Sequence, residues 1–155
     1  MGGPRFLMVV RASVAPLGRA DLPSVGRLFA AHTGRPADLD QVGTWLDRWP
    51  AFGARCAGEL VGYLTTARFG PDVLELTSLL LSPDARGQGT GRALLAALDD
   101  AAPASGAHAI VAITSSGYET AEPRIDPAPF YERCGYRVLM TTSQSTILAR
   151  SLEAG

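Results

Sequence analysis

The 155-residue chain contains no lysine; its 14 basic residues are all arginine. That absence excludes a Walker-type phosphate loop, which needs its Lys, and equally a pyridoxal phosphate Schiff base or a Ser-Lys hydrolase. Cysteine and histidine are nearly as scarce. Cys56, Cys134, His32 and His108 are too few and too scattered to build a zinc site, so no metal is expected. An excess of one charge is missing too, with 14 basic residues against 15 acidic ones and a net charge of -1. This balance offers no basic stripe to track a phosphate backbone, and nucleic acid is not an expected partner. No apolar run approaches the ~18 residues of a membrane helix. The opening MGGPRFLMVVRAS has neither the length nor the cleavage pattern of a signal peptide. The chain is therefore expected in the cytoplasm, away from membranes, with both cysteines as free thiols.

What the sequence does hold is 46% hydrophobic and 19% charged residues, the balance expected of a single domain over residues 1–155. The apolar run Phe6 to Val10 predicts a buried strand. A helix should follow, with Asp21 as its cap, Pro23 in the first turn, and Leu22, Val25, Leu28 and Phe29 at helical spacing up to Gly34. Val42, Trp45, Leu46 and Trp49 define one face of a second helix that Pro50 stops, and both tryptophans are expected as core packing. Phe52 to Phe69 reads as a hairpin turning at Ala57-Gly58-Glu59, with Leu60 to Thr66 as its second strand. Val73 to Ser82 is a third strand that begins by alternating and becomes apolar throughout, and Pro83 ends it. Leu94, Leu95 and Leu98 mark a helix, and Ala109 to Thr114 a further buried strand, an order that implies a parallel crossover. Asp126 and Pro127 open a short helix ending at Gly135; Tyr136 to Met140 and Ser145 to Ala149 make a last antiparallel pair. The fold class is α/β, a mixed, partly antiparallel central sheet flanked by helices.

The most informative stretch is LLLSPDARGQGTGRALLAAL, where Gly87, Gly89 and Gly91 alternate between a buried strand and an amphipathic helix. Backbone N–H groups at a helix start, with the positive end of the macrodipole, make an anion site, and glycine lets a phosphate come close. Arg86 and Arg92 add charge. The spacing is GxGxG and not GxGxxG, and its strand comes late in the chain, so a Rossmann dinucleotide site fits poorly. A merely tight turn would not require three glycines and two flanking arginines.

Leu81 to Arg92 resembles the pyrophosphate loop of the GNAT superfamily of acetyl-coenzyme A dependent N-acyltransferases, patterned Arg/Gln-x-x-Gly-x-Gly/Ala. A second, separate match is Phe130 to Tyr136, FYERCGY, similar to the family's Phe-Tyr-Glu-Lys/Arg-x-Gly-Phe/Tyr. The order of elements agrees from about Val10 to Ser151, with Gly62 and Tyr63 in the hairpin's second strand. The resemblance implies that Arg86, Gly87, Gln88, Gly89, Thr90, Gly91 and Arg92 hold the pyrophosphate through main-chain N–H groups. Leu79, Leu80 and Leu81 would pair by backbone with the pantetheine arm, as an added strand does.

Amine acetylation needs a base for the amine proton and an acid for the departing thiolate. Glu75 interrupts an apolar strand eleven residues before Arg86, where the resemblance implies a Glu acting as base, often through water, against its alternative as a solvated edge carboxylate. Tyr131 matches the family's general acid, against its alternative as a packed aromatic beside Phe130. Cys134 invites a covalent acetyl-cysteine step, yet no His or acidic partner lies nearby in sequence to activate it, and it reads as a small buried hydrophobe. Ser115 to Asp126 is longer than usual for the family and lacks the Asn often found there. In it Glu119, Glu122 and Asp126 would attract a cationic amine and Tyr118 pack on it, but Arg124 opposes this, and solvation explains a charged loop as well.

The expected function is N-acetylation by direct attack in a ternary complex, with acetyl-coenzyme A as cosubstrate and a primary amine of a small molecule or peptide as acceptor. The alternative is a noncatalytic acyl-coenzyme A binding or sensing module, which would not need Glu75 or Tyr131. Acyl chain preference, the identity of the amine and a homodimeric state are left open.

Overall fold

The computed structural model describes residues 12–115 and 126–152. The strand expected at Phe6 to Val10 lies outside them, as do Tyr118, Glu119, Glu122 and Arg124. The described residues form strands β1 (Ser13–Pro16), β2 (Phe52–Cys56), β3 (Glu59–Gly70), β4 (Val73–Leu81), β5 (Ala109–Ser115), β6 (Arg137–Thr141) and β7 (Ser145–Ser151), with helices α1 (Leu22–Thr33), α2 (Leu39–Arg48), α3 (Thr90–Ala101) and α4 (Ala128–Arg133). The strands make one seven-stranded sheet, ordered β1-β2-β3-β4-β5-β7-β6. Every neighbouring pair is antiparallel except β4 and β5, which the α3 crossover makes parallel.

Each face of the sheet is covered because the strands supply apolar residues of both parities. Leu74 and Leu76 of β4, Ile110 and Ala112 of β5 and Leu148 of β7 join Leu94, Leu95 and Leu98 of α3 in the larger core. On the opposite face Tyr63 meets Val25 of α1, with Val42 and Leu46 of α2 packed around them. The hairpin turns where expected, with Ala57 at φ 51 and Gly58 at φ 82, the paired positive angles that match strand twist.

Two local expectations need correction. Asp21 precedes α1 but its carboxylate does not cap that helix: it accepts from the Gly18 N–H at 2.9 Å and pairs with the Arg55 guanidinium, tying the helix start to β2. The side-chain cap belongs instead to α2, where Asp38 Oδ1 accepts from the Gln41 N–H at 3.1 Å. The two tryptophans also divide. Trp49 packs on the larger core with the Arg68 guanidinium 5.0 Å above its ring, whereas Trp45 is half-buried and borders a cavity.

Candidate active site

The site begins where two parallel strands part. β4 and β5 pair from Val73 with Ala109 to Leu76 with Ala112; beyond that, Ile113 to Ser115 pair with β7, and Ser78 to Leu81 pair with β3. Along this stretch one edge of β4 has no strand partner among the described residues, leaving its N–H and C=O groups open to an added chain. The parting coincides with a bulge. Thr65 opposes Ser78 and Thr66 opposes Leu76, so Thr77 is an extra residue in β4. The bulge switches the strand's parity: Leu74 and Leu76 face the α3 core before it, Leu79 and Leu81 after it.

The open edge leads into the glycine-rich loop. The Ser82 N–H is held by Val61 O at 2.8 Å, Pro83–Ala85 form a short 3-10 turn, and the chain then passes through Gly87 at φ 76 and Gly89 at φ 79. The first bond of α3 runs from the Ala93 N–H to Gly89 O at 3.0 Å, so the N–H groups of Thr90, Gly91 and Arg92 have no helical acceptor, and no side chain caps them. Left-handed glycines followed by a bare helix start concentrate N–H dipoles on one point, a geometry suited to a diphosphate. Arg86, Gly87, Gln88, Gly89 and Arg92 are exposed, while Thr90 and Gly91 turn inward, able to offer only backbone. The Gln88 amide is engaged with Asp84 O at 2.9 Å. Gly91 has a packing duty that its place in the motif concealed: a Cβ there would stand 3.0 Å from Phe130 Cζ, so its bareness seats α4 against the start of α3.

Glu75 is half-buried in β4, opposite Ala67 of β3 and Val111 of β5. With Leu74 and Leu76 turned to the α3 core, strand alternation puts Glu75 and Thr77 on the other face, about 7 Å apart along the strand. Tyr131 lies 8% exposed within the larger core, edge-on to Phe130 and to Tyr136 with ring centroids 5.4 Å apart in both pairs. Burial first, then the nearby Cys134 thiol, push the Tyr131 phenol well above its ordinary value of 10. The structure thus packs Tyr131 as an aromatic, with its phenol held neutral. Cys134 closes α4 and packs half-buried against the core, as its small apolar character predicts. Arg150 of β7 braces this corner, donating to the Cys134 carbonyl and pairing with Asp99 of α3 at 3.2 Å.

Beside the parted strands lies a cavity of about 200 Å³ between α1, α2, β3 and β4. Phe29, Trp45 and Tyr63 supply aromatic walls, Thr65, Thr77 and Ser78 supply hydroxyls, and Asp38 stands exposed on the rim. Thr65 and Thr77 hydroxyls meet at 2.8 Å across the bulge. Burial pushes the Tyr63 phenol up to about 12, partly offset by a hydrogen bond with Ser78, so Tyr63 stays a neutral donor. Sequence reasoning missed these hydroxyls. Their signal was present in VLELTSLLLS, where the inward leucines jump from even to odd positions across Thr77 and Ser78. Among the described residues no group of His, Cys, Asp and Glu could hold a metal ion.

Residues 26–136 match the family model described as Acetyltransferase (GNAT) family. The chain is 34% identical over 125 residues to an L-methionine sulfoximine/L-methionine sulfone acetyltransferase of Pseudomonas paraeruginosa and to that of Pseudomonas aeruginosa, covering 68% of this chain and 72% of either relative. Its fold is similar to that of the ribosomal-protein-S18-alanine N-acetyltransferase from Escherichia coli, with TM-score 0.75, 19% identity, and coverage of 93% of this chain and 96% of the other. An aminoglycoside 6'-N-acetyltransferase solved with coenzyme A superposes with TM-score 0.77 at 18% identity, covering 92% of this chain and 98% of the other. Parted parallel strands, a bare helix start beyond them and a family model spanning both motifs lead to one placement: the chain belongs to the acetyltransferase (GNAT) family and is an acetyl-coenzyme A dependent acetyltransferase.

Proposed function

We propose that this protein transfers an acetyl group from acetyl-coenzyme A to a primary amine by direct attack, both substrates being bound together. The observation that carries the reading is the continuity between the open edge of β4 and the bare start of α3. An extended pantetheine arm would pair with Leu79, Leu80 and Leu81 and deliver its pyrophosphate to the N–H groups of the loop from Arg86 to Arg92. The thioester would then lie at the parting of the strands, next to Thr77 and the cavity. Nitrogen is supported as the acceptor atom because the substrates named for the Pseudomonas relatives are amino compounds.

The amine lone pair attacks the thioester carbonyl, the new C–N bond forms, and the C–S bond breaks with its electrons on sulfur. Glu75 takes the proton the amine must lose, across the ~7 Å of strand to Thr77 by way of water. Tyr131 gives its hydroxyl proton to the departing thiolate, an uphill transfer that its raised phenol makes harder and that the geometry of the site has to assist. The test joins calorimetric titration of acetyl-coenzyme A with a thiol-release assay over a panel of amines. Wild type should bind and turn over, and Glu75→Gln should bind with unchanged affinity while losing about 10² to 10⁴ fold in turnover. Undiminished turnover across pH 6 to 9, limits chosen to straddle neutrality, would return Glu75 to a solvated edge carboxylate. Tight coenzyme binding with no amine ever acetylated would favour a binding or sensing module.

A further inference from the structure

The cavity beside β4 carries information about the acceptor that the acetyl-transfer chemistry does not. Its volume, about 200 Å³, is below the ~300 Å³ at which pockets for drug-sized ligands begin. The part bounded by described residues has room for one ring system or a short branched chain and an arm. The walls are chiefly apolar. Phe29 and Trp45 come from the two helices and Tyr63 from the strand beneath them, so the body of the ligand meets aromatic surface on more than one side. The polar groups at the inner end are neutral hydroxyls already engaged with one another, Thr65 with Thr77 and Ser78 with Tyr63.

Charge decides the rest. Among the described residues lining the cavity there is no arginine or histidine, in a chain that has no lysine, and the one ionisable carboxyl is Asp38. Asp38 spends one oxygen on the α2 cap through the Gln41 N–H and stays exposed at the rim with the other. Arg68, nearest to a candidate by sequence, is stacked on Trp49 instead and does not line the cavity. A carboxylate or phosphate beside the reacting nitrogen would thus meet a like charge at the entrance and no cation among the described lining residues. An ammonium group would meet attraction at the entrance and aromatic faces along its path.

We propose that the acceptor is a compact primary amine with an apolar or aromatic body and no anionic group beside the nitrogen, an arylalkylamine or alkylamine and not an α-amino acid. This rests on the reading that the cavity faces the thioester, and it departs from the amino acids named for the 34% identical relatives.

Matched acceptors that differ only by the α-carboxylate provide the test: 2-phenylethylamine against phenylalanine, tryptamine against tryptophan, and 3-(methylsulfonyl)propylamine against methionine sulfone. Each is measured by thiol release with acetyl-coenzyme A and, separately, by calorimetric binding to the protein saturated with coenzyme A. The expected result is at least about tenfold higher kcat/KM for the decarboxylated member of each pair, with the same order in binding. Asp38→Asn keeps the helix cap while removing the charge, and should narrow the preference several-fold, read as a rise in KM for the amine relative to the amino acid of each pair. Equal or better use of the amino acids overturns the proposal while leaving acetyl transfer intact. Failure of every amine and amino acid to bind, with acetyl-coenzyme A binding normally, overturns it as well. Loss of acetyl-coenzyme A binding itself would instead sink the wider reading, and the binding of 2-phenylethylamine to the coenzyme-free protein would then decide the cavity's preference alone.

Discussion

Tyr131 is packed in the core and is also the acid we propose. Its ring fills the core between Phe130 and Tyr136, so phenylalanine preserves the packing and removes only the hydroxyl. Tyr131→Phe should melt within a degree or two of wild type and bind acetyl-coenzyme A normally, yet turn over at least about tenfold more slowly, the lower end of acid-base contributions because water can substitute. Wild-type coenzyme A release by this variant would make Tyr131 a packing residue alone. Two aspartates offer a contrast in sign. Desolvation raises Asp21, but hydrogen bonds from Arg55 and the Gly18 N–H outweigh it, and the net shift is downward from 3.8. Its contribution is therefore present above the unfolded value and fades as pH falls through the folded one. Asp99 is raised by burial, an effect Arg150 only partly offsets, so its contribution is complete below the unfolded value and is lost as pH rises through the folded one. Denaturant midpoints should show Asp21→Asn losing stability at pH 7 but little at pH 3, whereas Asp99→Asn compares better with wild type at pH 7 than at pH 3, the two pH values being chosen to bracket carboxyl titration.

Among the elements, the start of α3 serves the fold and is the proposed seat of the pyrophosphate. Gly89 sits at φ 79 as the residue before the helix, and a Cβ there would meet nothing within 4 Å. Space is therefore no obstacle, but the left-handed angle costs an L-residue about 1 to 2 kcal/mol, so Gly89→Val cannot be silent in stability. The substitution is thus expected to act on the backbone as well as on binding. Expected are a denaturation midpoint lowered by roughly that amount and, in the molecules still folded, acetyl-coenzyme A affinity reduced by more than about tenfold as the branched side chain shields the N–H groups. Gly89→Ala carries the backbone strain with less shielding and should recover most of the affinity. If both variants bind as wild type does, the pyrophosphate does not lie on this loop.

At the scale of the whole sheet, the parting of β4 from β5 is an opening in a hydrogen-bonded wall. A ligand that pairs with the open edge restores the missing ladder and binds only the folded chain. At a hundredfold excess over its Kd, acetyl-coenzyme A should add about 2.7 kcal/mol to unfolding stability. Amide hydrogen exchange should localise the effect, with protection rising at Leu79 to Leu81 and at Thr90 to Arg92 and hardly changing in the β6–β7 pair. Protection confined to the loop would place the pantetheine arm elsewhere than on β4.

Much of this was decided locally and could be read from sequence. The helices over Leu22–Thr33 and Leu39–Arg48, the turn at Gly58, the crossover from β4 to β5 and the two motifs all rest on spacings of a few residues, because capping, periodicity and turn chemistry act over one or two helical turns. Other features come from residues far apart in the chain. The bulge at Thr77 exists because β3 and β4 lose register together, and the cavity forms only when Phe29, Trp45 and Tyr63 are carried to one place by three different elements. Asp21 had two uses for its carboxylate, and Arg55, 34 residues away, won it from the helix cap. Gly91 looked like part of a phosphate loop until Phe130 arrived against it. The sequence by itself determined the family and carries the contiguous motifs proposed for the donor side; the proposed acceptor side exists only in the tertiary structure, because side chains from two helices and two strands have to meet there.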